Sequence, residues 1–367
     1  MSGGVAEAEA WSPDWAVHPG EHLAEYIESK GWSQAEFARL AGLTPKLVST
    51  IINGTNPVSA ETALKLEHVL GMKADIWTGL QADWDLHEAR KARQQNADEC
   101  KAFLAKFPVR ELIARNVLQR GASAEAMFEG LLTLLGIGTP GAFEARLRSL
   151  AVQHRHSKTY ASDENHVAAW LMLGERRARS MNLPAFDEGR FASAVAEVRS
   201  MTCERVEVFA PRMVDLCARS GVAVVFEPPL PSTKLFGSAR WMDGNRAIIQ
   251  MSLRMKANDH FWWTFFHEAG HIMLHRGRTF ADDQGGVGDG AEDEADAWAE
   301  DQLVGSERFA QFCRTVPRSE AAIRAFAHEV GLHPGIIVGM LQHRGILPYT
   351  HLNGLKVRFE WAKSPNP

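Results

Sequence analysis

Two histidines one helical turn apart flank a glutamate in the stretch His267-Glu268-Ala269-Gly270-His271. On a helix, positions i and i+4 share a face, so both imidazoles can point at one ion. Zinc suits the pair, because it takes nitrogen ligands in a tetrahedral shell and leaves a position for water. Zinc brings the pKa of such a water to about 7, and Glu268 is placed to take its proton for attack on a peptide carbonyl. The third ligand must come from elsewhere. A three-histidine site would use the position ten residues after the first histidine, which is Gly277. A second acidic helix begins with Glu292-Asp293-Glu294. Glu294 is the candidate third ligand, while Glu292 and Asp293 read as acids favoured by a helix N-terminus. His275 reads as a helix C-terminal histidine. A developing oxyanion needs a hydrogen-bond donor, for which His343 and Tyr349 are candidates, with His333 and His351 behind them.

The elements that must position these residues follow from pattern. Residues 259–275 predict a helix, buried through Phe261, Trp262, Trp263, Phe265 and Phe266 and ended by Gly277. Ahead of it, a helix over 205–220 stops at Gly221 and residues 222–226 read as a strand. Residues 235–242 and 246–252 form a hairpin around Asp243-Gly244. After the site helix, a glycine- and aspartate-rich connector reaches a helix near Ala291. It has no following Lys-Ser/Thr, so it is not a phosphate loop. Two more helices and a strand over 355–361 complete this part.

The first part of the chain is a string of short amphipathic helices at 21–30, 34–41, 45–53, 60–70 and 74–93. Ser33, Thr44 and Ser59 are their caps, and Gly31, Gly42 and Gly71 their stops. The second and third make a helix-turn-helix whose third helix would enter the major groove of DNA. Its candidate contacts are Thr44, Lys46, Ser49, Thr50 and Asn53, with Gln34 on a phosphate. Leu47, Val48, Ile51 and Ile52 face inward. Residues 18–93 carry eight Lys/Arg against ten Asp/Glu. Phosphate neutralisation supplies most non-specific affinity, so a single copy should bind DNA weakly and a homodimer on a palindrome better.

With 367 residues, 45% of them apolar and a net charge of −5, the chain is long enough for two or three soluble domains. We divide it into a tail (1–15), a helix-turn-helix domain (16–95), a helical linker region without chemistry (96–203) and the site domain (204–367). The fold expected is mostly α, with a small β-sheet in the C-terminal part. No apolar run reaches the roughly 18 residues of a membrane span, and no secretory leader is expected. Four scattered cysteines read as free thiols in a reducing compartment, so the cytoplasm is the expected location.

Two resemblances sharpen this reading. HFWWTFFHEAGHIMLH followed by EDEADAWAEDQLV resembles the ImmA/IrrE family of metallopeptidases, over roughly residues 204–300 with a weaker echo to 361. Asp296 stands where that family commonly has asparagine, and Trp298 where it has phenylalanine. The resemblance implies an α+β zincin-like domain, zinc on His267, His271 and Glu294, Glu268 as base, and a repressor-like protein substrate. Residues 18–85, through HPGE, IINGT and WTGLQ, resemble the HigA-type antitoxin branch of the Xre helix-turn-helix family. That implies operator DNA and a HigB-type toxin as partners. The function expected is a DNA-binding regulator with zinc endopeptidase activity. The alternative is an antitoxin-like regulator whose peptidase-like part senses without cutting.

Overall fold

The structure is a computed structural model that describes residues 15–94, 97–151, 163–275, 290–315 and 319–361. The chain divides into two units, residues 1–99 and 100–367.

Five helices build the first unit: α1 (Pro19–Ser29), α2 (Gln34–Leu40), α3 (Pro45–Ile52), α4 (Ala60–Leu70) and α5 (Ala74–Gln94). Ser33, Thr44 and Ser59 each accept a backbone N–H of the first turn that follows, as their sequence positions predict. α1 starts two residues earlier than its apolar pattern. His18 caps it, its Nδ1 accepting from the Gly20 N–H at 2.9 Å, and Pro19 fills the first helical position, where no donor is needed. Gly42 turns α2 into α3 at φ 61°, and the Leu43 N–H donates to the Ala38 carbonyl at 2.8 Å. Leu23, Phe37, Val48, Ile51, Leu66 and Trp77 close the core.

The second unit begins with helices. These are α6 (Ala97–Leu104, crossing from the first unit), α7 (Val109–Ala114), α8 (Ala124–Leu135), α9 (Phe143–Ala151), α10 (Glu164–Arg179), α11 (Glu188–Ser200) and α12 (Val206–Ala218). Residues 124–148 do satisfy the length and composition of a membrane span, against expectation. Gly136, left-handed at φ 65°, and a 3-10 turn at Pro140–Ala142 split the segment, and Phe128, Leu131, Leu132, Leu135 and Phe143 are buried in the unit.

Strands β1 (Val222–Phe226), β2 (Gly237–Trp241) and β3 (Ala247–Met251) form one sheet in the order β1-β3-β2. β1 and β3 are parallel, and β2 and β3 are the expected antiparallel hairpin. Alternation divides the sheet's side chains between two faces. Val222, Val224, Ala247, Ile249 and Met251 meet Phe261, Trp262 and Phe265 of α13 (Asn258–Leu274). Ala223, Val225 and Ile248 meet Ala178 of α10. Both faces are covered, so β1 reads as continuously apolar. On the α10 side, Gln250 Nε2 donates to the Trp170 carbonyl and the buried Arg240 donates to that of Leu171. Burial brings the Arg240 guanidinium down to about 10. The stretch 96–203 is therefore no free-standing linker: α10 and α11 complete the core around the sheet.

After α13 come α14 (Gly290–Val304), α15 (Ser306–Arg314), α16 (Glu320–Val330) and α17 (Pro334–His343). Three helices follow α14 where two were expected, because Gly305 at φ 77° separates α14 from α15. The expected strand over 355–361 is reduced to one antiparallel bridge, Ala257 with Arg358. A ladder cannot continue there, since α13 starts at the next residue. Cys100 and Cys217 are buried, Cys313 half-buried and Cys203 exposed, all as free thiols. Residues 1–14, Gly277 and all of the glycine-rich connector except Gly290 lie outside the described residues.

Candidate functional site

α13 buries its aromatic face on the sheet and carries a half-buried row, His260, Thr264, His267 and His271, along the side that borders β2. That spacing is the i, i+4, i+7 stripe of one helix face. The Nε2 atoms of His267 and His271 stand 3.1 Å apart. A carboxylate from α14 closes the triangle, with its oxygens 3.4 Å from His267 Nε2 and 3.2 Å from His271 Nε2. That carboxylate belongs to Glu292, and His267, His271 and Glu292 place one donor atom each within 4.8 Å of one another. Around zinc, with bonds of about 2.0–2.1 Å, ligand atoms at tetrahedral corners stand roughly 3.3 Å apart. The donor types and spacings therefore suit a zinc ion.

The expected third member, Glu294, lies elsewhere, and the reason is helix rotation. α14 packs Ala295 and Ala299 inward, and Gly270 lets it come close: a Cβ at Gly270 would stand 3.3 Å from the Ala295 carbonyl oxygen. With that face fixed, Glu292 and Asp296, one turn apart, flank the contact and reach the histidines. Glu294 instead pairs with His275 Nε2 at 3.2 Å. Asp296 Oδ1 lies 2.8 Å from His267 Nδ1. His275 is buried, and its Nδ1 stands 3.0 Å from His271 Nδ1. Both candidate ligands thus have their outer nitrogens engaged and their inner nitrogens turned to one point, the arrangement that fixes an imidazole on a metal. Glu292, Asp296 and His275 escaped the sequence reading, although the Glu292/Asp296 spacing of four was available as a signal.

The charges are tightly linked. Burial opposes a proton on His267, but hydrogen bonds to Asp296 and Glu292 outweigh it and bring the imidazole up to about 10. Burial likewise opposes ionisation of Glu292, yet the two imidazoles hold its carboxyl far below the usual range. A divalent cation bound there would compete with protons for these groups.

Glu268 is buried on the β2 side of α13. Burial pushes its carboxyl up, the two histidines and the Ala239 N–H of β2 pulling the other way. A Cβ at Gly237 would sit 2.7 Å from Glu268 Oε1, so glycine is what lets β2 lie on this carboxylate. β2 is also a sheet edge, and an edge offers its N–H and C=O groups to an added extended chain. Of the oxyanion candidates, His343 packs beside Trp263, one turn before His267, at 6.1 Å between ring centroids. Tyr349 is exposed, and no contact among the described residues ties it to the histidines. His333 is a cap: its Nδ1 accepts from the Gly335 N–H at 3.1 Å and from Asn258 Nδ2 at 2.9 Å. The His351 carbonyl accepts from Gln342.

In the first unit, Gln34 and Lys46 are exposed at the starts of α2 and α3, and Asn53 is exposed at the end of α3. Ser49 and Thr50 are half-buried. Thr50 Oγ1 donates to the Leu47 carbonyl at 3.0 Å, and Asn53 Nδ2 lies 3.4 Å from Ser49 Oγ. Thr44 Oγ1 accepts the Leu47 N–H, so its hydroxyl serves the helix first. Val48 and Ile51 are buried, and Leu47 and Ile52 pack against the core from the rim. Gly20 lies against the Ile51 carbonyl with no space for a side chain, which seats α1 on α3.

Comparison with known proteins bears on this unit. The helix-turn-helix family model matches residues 23–77. The uncharacterized HTH-type transcriptional regulator YddM of Escherichia coli (strain K12) is 34% identical over 73 residues, 20% of this chain and 78% of that protein. Virulence-associated protein I of Dichelobacter nodosus is 32% identical over 80 residues, 22% of this chain and 74% of that protein. Similar solved structures include an addiction module antidote protein of a HigA family from Coxiella burnetii, 30% identical, covering 23% of this chain and 91% of that one with a TM-score of 0.21. Antitoxin GraA is 38% identical, covering 23% and 87%, also with a TM-score of 0.21. Through its first unit, this chain belongs to the helix-turn-helix family of transcriptional regulators.

Proposed function

We propose that the chain is a DNA-binding regulator whose second unit is a zinc-dependent endopeptidase acting on a regulatory protein. The observation that carries the enzymatic half is the triangle of His267, His271 and Glu292, with donor separations of 3.1–3.4 Å and Glu268 in the next position of the same helix. The resemblance of residues 204–300 to ImmA/IrrE metallopeptidases, carried by the same two helices, agrees with it. Zinc bound there would supply Lewis acidity and make a water acidic enough to lose a proton near neutral pH. Glu268 would accept that proton at its carboxylate and return it to the departing amine. Its burial keeps the carboxyl above the usual range, which suits a group that both takes and gives a proton. The edge of β2 would hold an extended segment of the substrate beside Glu268. The helix-turn-helix supports the choice of a repressor-like substrate, since it would bring the second unit to operator-bound proteins. A homodimer on operator DNA and a HigB-type toxin partner belong to the same reading.

The test is a comparison of the full chain with Glu268→Gln, both loaded with zinc, on a proteome-derived peptide library. Wild type should cleave a defined subset, and the variant should hold the same zinc and cleave at least about 100-fold more slowly. Equal cleavage by both proteins, or none by wild type, would overturn the enzymatic half.

A further inference from the structure

Residues 323–342 repeat residues 34–53 in one unbroken register. Phe37, Ala38, Gly42, Leu43 and Pro45 return as Phe326, Ala327, Gly331, Leu332 and Pro334. Leu47, Val48, Ile51 and Ile52 return as Ile336, Ile337, Met340 and Leu341, all apolar. The geometry repeats as well. Gly331 turns α16 into α17 at φ 67°, as Gly42 turns α2 into α3 at φ 61°. The Leu332 N–H donates to the Ala327 carbonyl at 2.9 Å, as Leu43 does to Ala38 at 2.8 Å. His333 caps α17 where Thr44 caps α3, each followed by proline.

The outer faces differ. Lys46, Ser49, Thr50 and Asn53, the face that α3 turns outward, correspond to Gly335, Val338, Gly339 and Gln342. Gly335, Val338 and Gln342 are buried. A Cβ at Gly335 would stand 2.7 Å from the Leu355 carbonyl oxygen and 2.8 Å from Asn258 Oδ1. One at Gly339 would stand 2.5 Å from Asp259 Oδ2. Gln342 Nε2 donates to the His351 carbonyl at 2.9 Å, and its Oε1 accepts from Lys356 Nζ, which also pairs with Asp259 at 2.6 Å. A face meant for a major groove needs projecting donors and some positive charge. This one has two glycines that admit backbone and a carboxylate, a valine, and a glutamine engaged inside the protein.

We propose that α16 and α17 are a second helix-turn-helix whose reading face docks the first turn of α13, through Asn258 and Asp259, in place of DNA. The module braces the site helix two turns ahead of His267, and DNA is read by one helix-turn-helix per chain. This holds whether or not the site binds zinc.

A double-mutant cycle on the full chain tests it, with thermal unfolding of the second unit as readout and Gly339→Ala and Asp259→Gly as the two arms. A Cβ at Gly339 would stand 2.6 Å from the Asp259 Cβ as well as against its carboxylate, so the whole side chain has to go. Docking predicts that Gly339→Ala lowers the midpoint by several degrees with Asp259 present and by much less in the Asp259→Gly background. Equal shifts in both backgrounds would overturn the docking. A second variant, Gly335→Lys, restores the residue type of Lys46. Docking predicts a lower midpoint and unchanged affinity for a labelled 30-base-pair random duplex at low salt. An unchanged midpoint with several-fold tighter duplex binding would show that this face meets DNA and overturn the proposal. The cycle decides the docking even if Gly335→Lys does not fold.

Discussion

His275 stands directly behind His271, with their Nδ1 atoms 3.0 Å apart. If His271 binds a metal through Nε2, its Nδ1 keeps the proton and donates it to His275 Nδ1. The proton of His275 then sits on Nε2 and is donated to Glu294, 3.2 Å away. Glu294 acts on the site through His275, while Asp296 acts on His267 directly. Outer partners of this kind typically change metal affinity by about 10–100-fold when removed. We predict such a loss for His275→Ala and for Glu294→Gln, measured by competition with a chelator on the full chain. Unchanged affinity in both would remove this role.

The approach of α13 and α14 depends on Gly270. A Cβ there would lie 3.1 Å from Trp298 and 3.3 Å from the Ala295 carbonyl oxygen. Gly270→Leu should force the helices apart, destabilise the unit by about 1–3 kcal/mol, and carry Glu292 away from the histidines. Chemical denaturation and zinc content measured on the same preparation check both effects, and retention of full zinc content would contradict the packing account.

On α3, Lys46 and Asn53 should part company. Lys46→Ala should weaken binding to all duplexes alike and reduce the slope of log affinity against log salt by about 1. Asn53→Ala should cost about 1–3 kcal/mol at one base pair of the chosen site and little on random DNA. Anisotropy titrations across a salt series separate the two, and identical behaviour of the variants would contradict this division of roles.

His18 gives the first unit a pH dependence. Burial lowers its pKa below 6.5, against the pull of Glu21 and Asp85. A lowered histidine pKa means that the unfolded chain binds the proton more readily, so stability is full above pH 6.5 and falls as pH drops toward the lowered value. Protonation also ends acceptance from the Gly20 N–H, a cap worth on the order of 1 kcal/mol. Thermal unfolding of the full chain between pH 8 and pH 5 should show this loss, and His18→Asn, which keeps an acceptor, should show less of it. Parallel profiles for the two proteins would contradict the assignment.

The contrast between what could be read from sequence and what could not is physical. Ser33, Thr44 and Ser59 announced their helices because capping is settled within three residues. The HEAGH face was legible because i and i+4 share a side of any helix. The third carboxylate was not, because the choice between Glu292 and Glu294 depends on the rotation of α14, which Gly270, Ala295 and Ala299 set across two helices. The repeat at 323–342 is faint in sequence because it keeps the core and turn residues and replaces the reading face, where Gly335 and Gly339 stand for Lys46 and Thr50. The final strand failed because α13 begins at Asn258, immediately after Ala257, and ends the ladder.

The central claim is a zinc site made of His267, His271 and Glu292. Calorimetric titration of zinc into the metal-free full chain tests it most directly. The account predicts one equivalent bound to wild type, none to His267→Ala or Glu292→Gln, and one weaker equivalent to Glu294→Gln. No zinc bound by wild type, or loss of the site in Glu294→Gln with retention in Glu292→Gln, would contradict it.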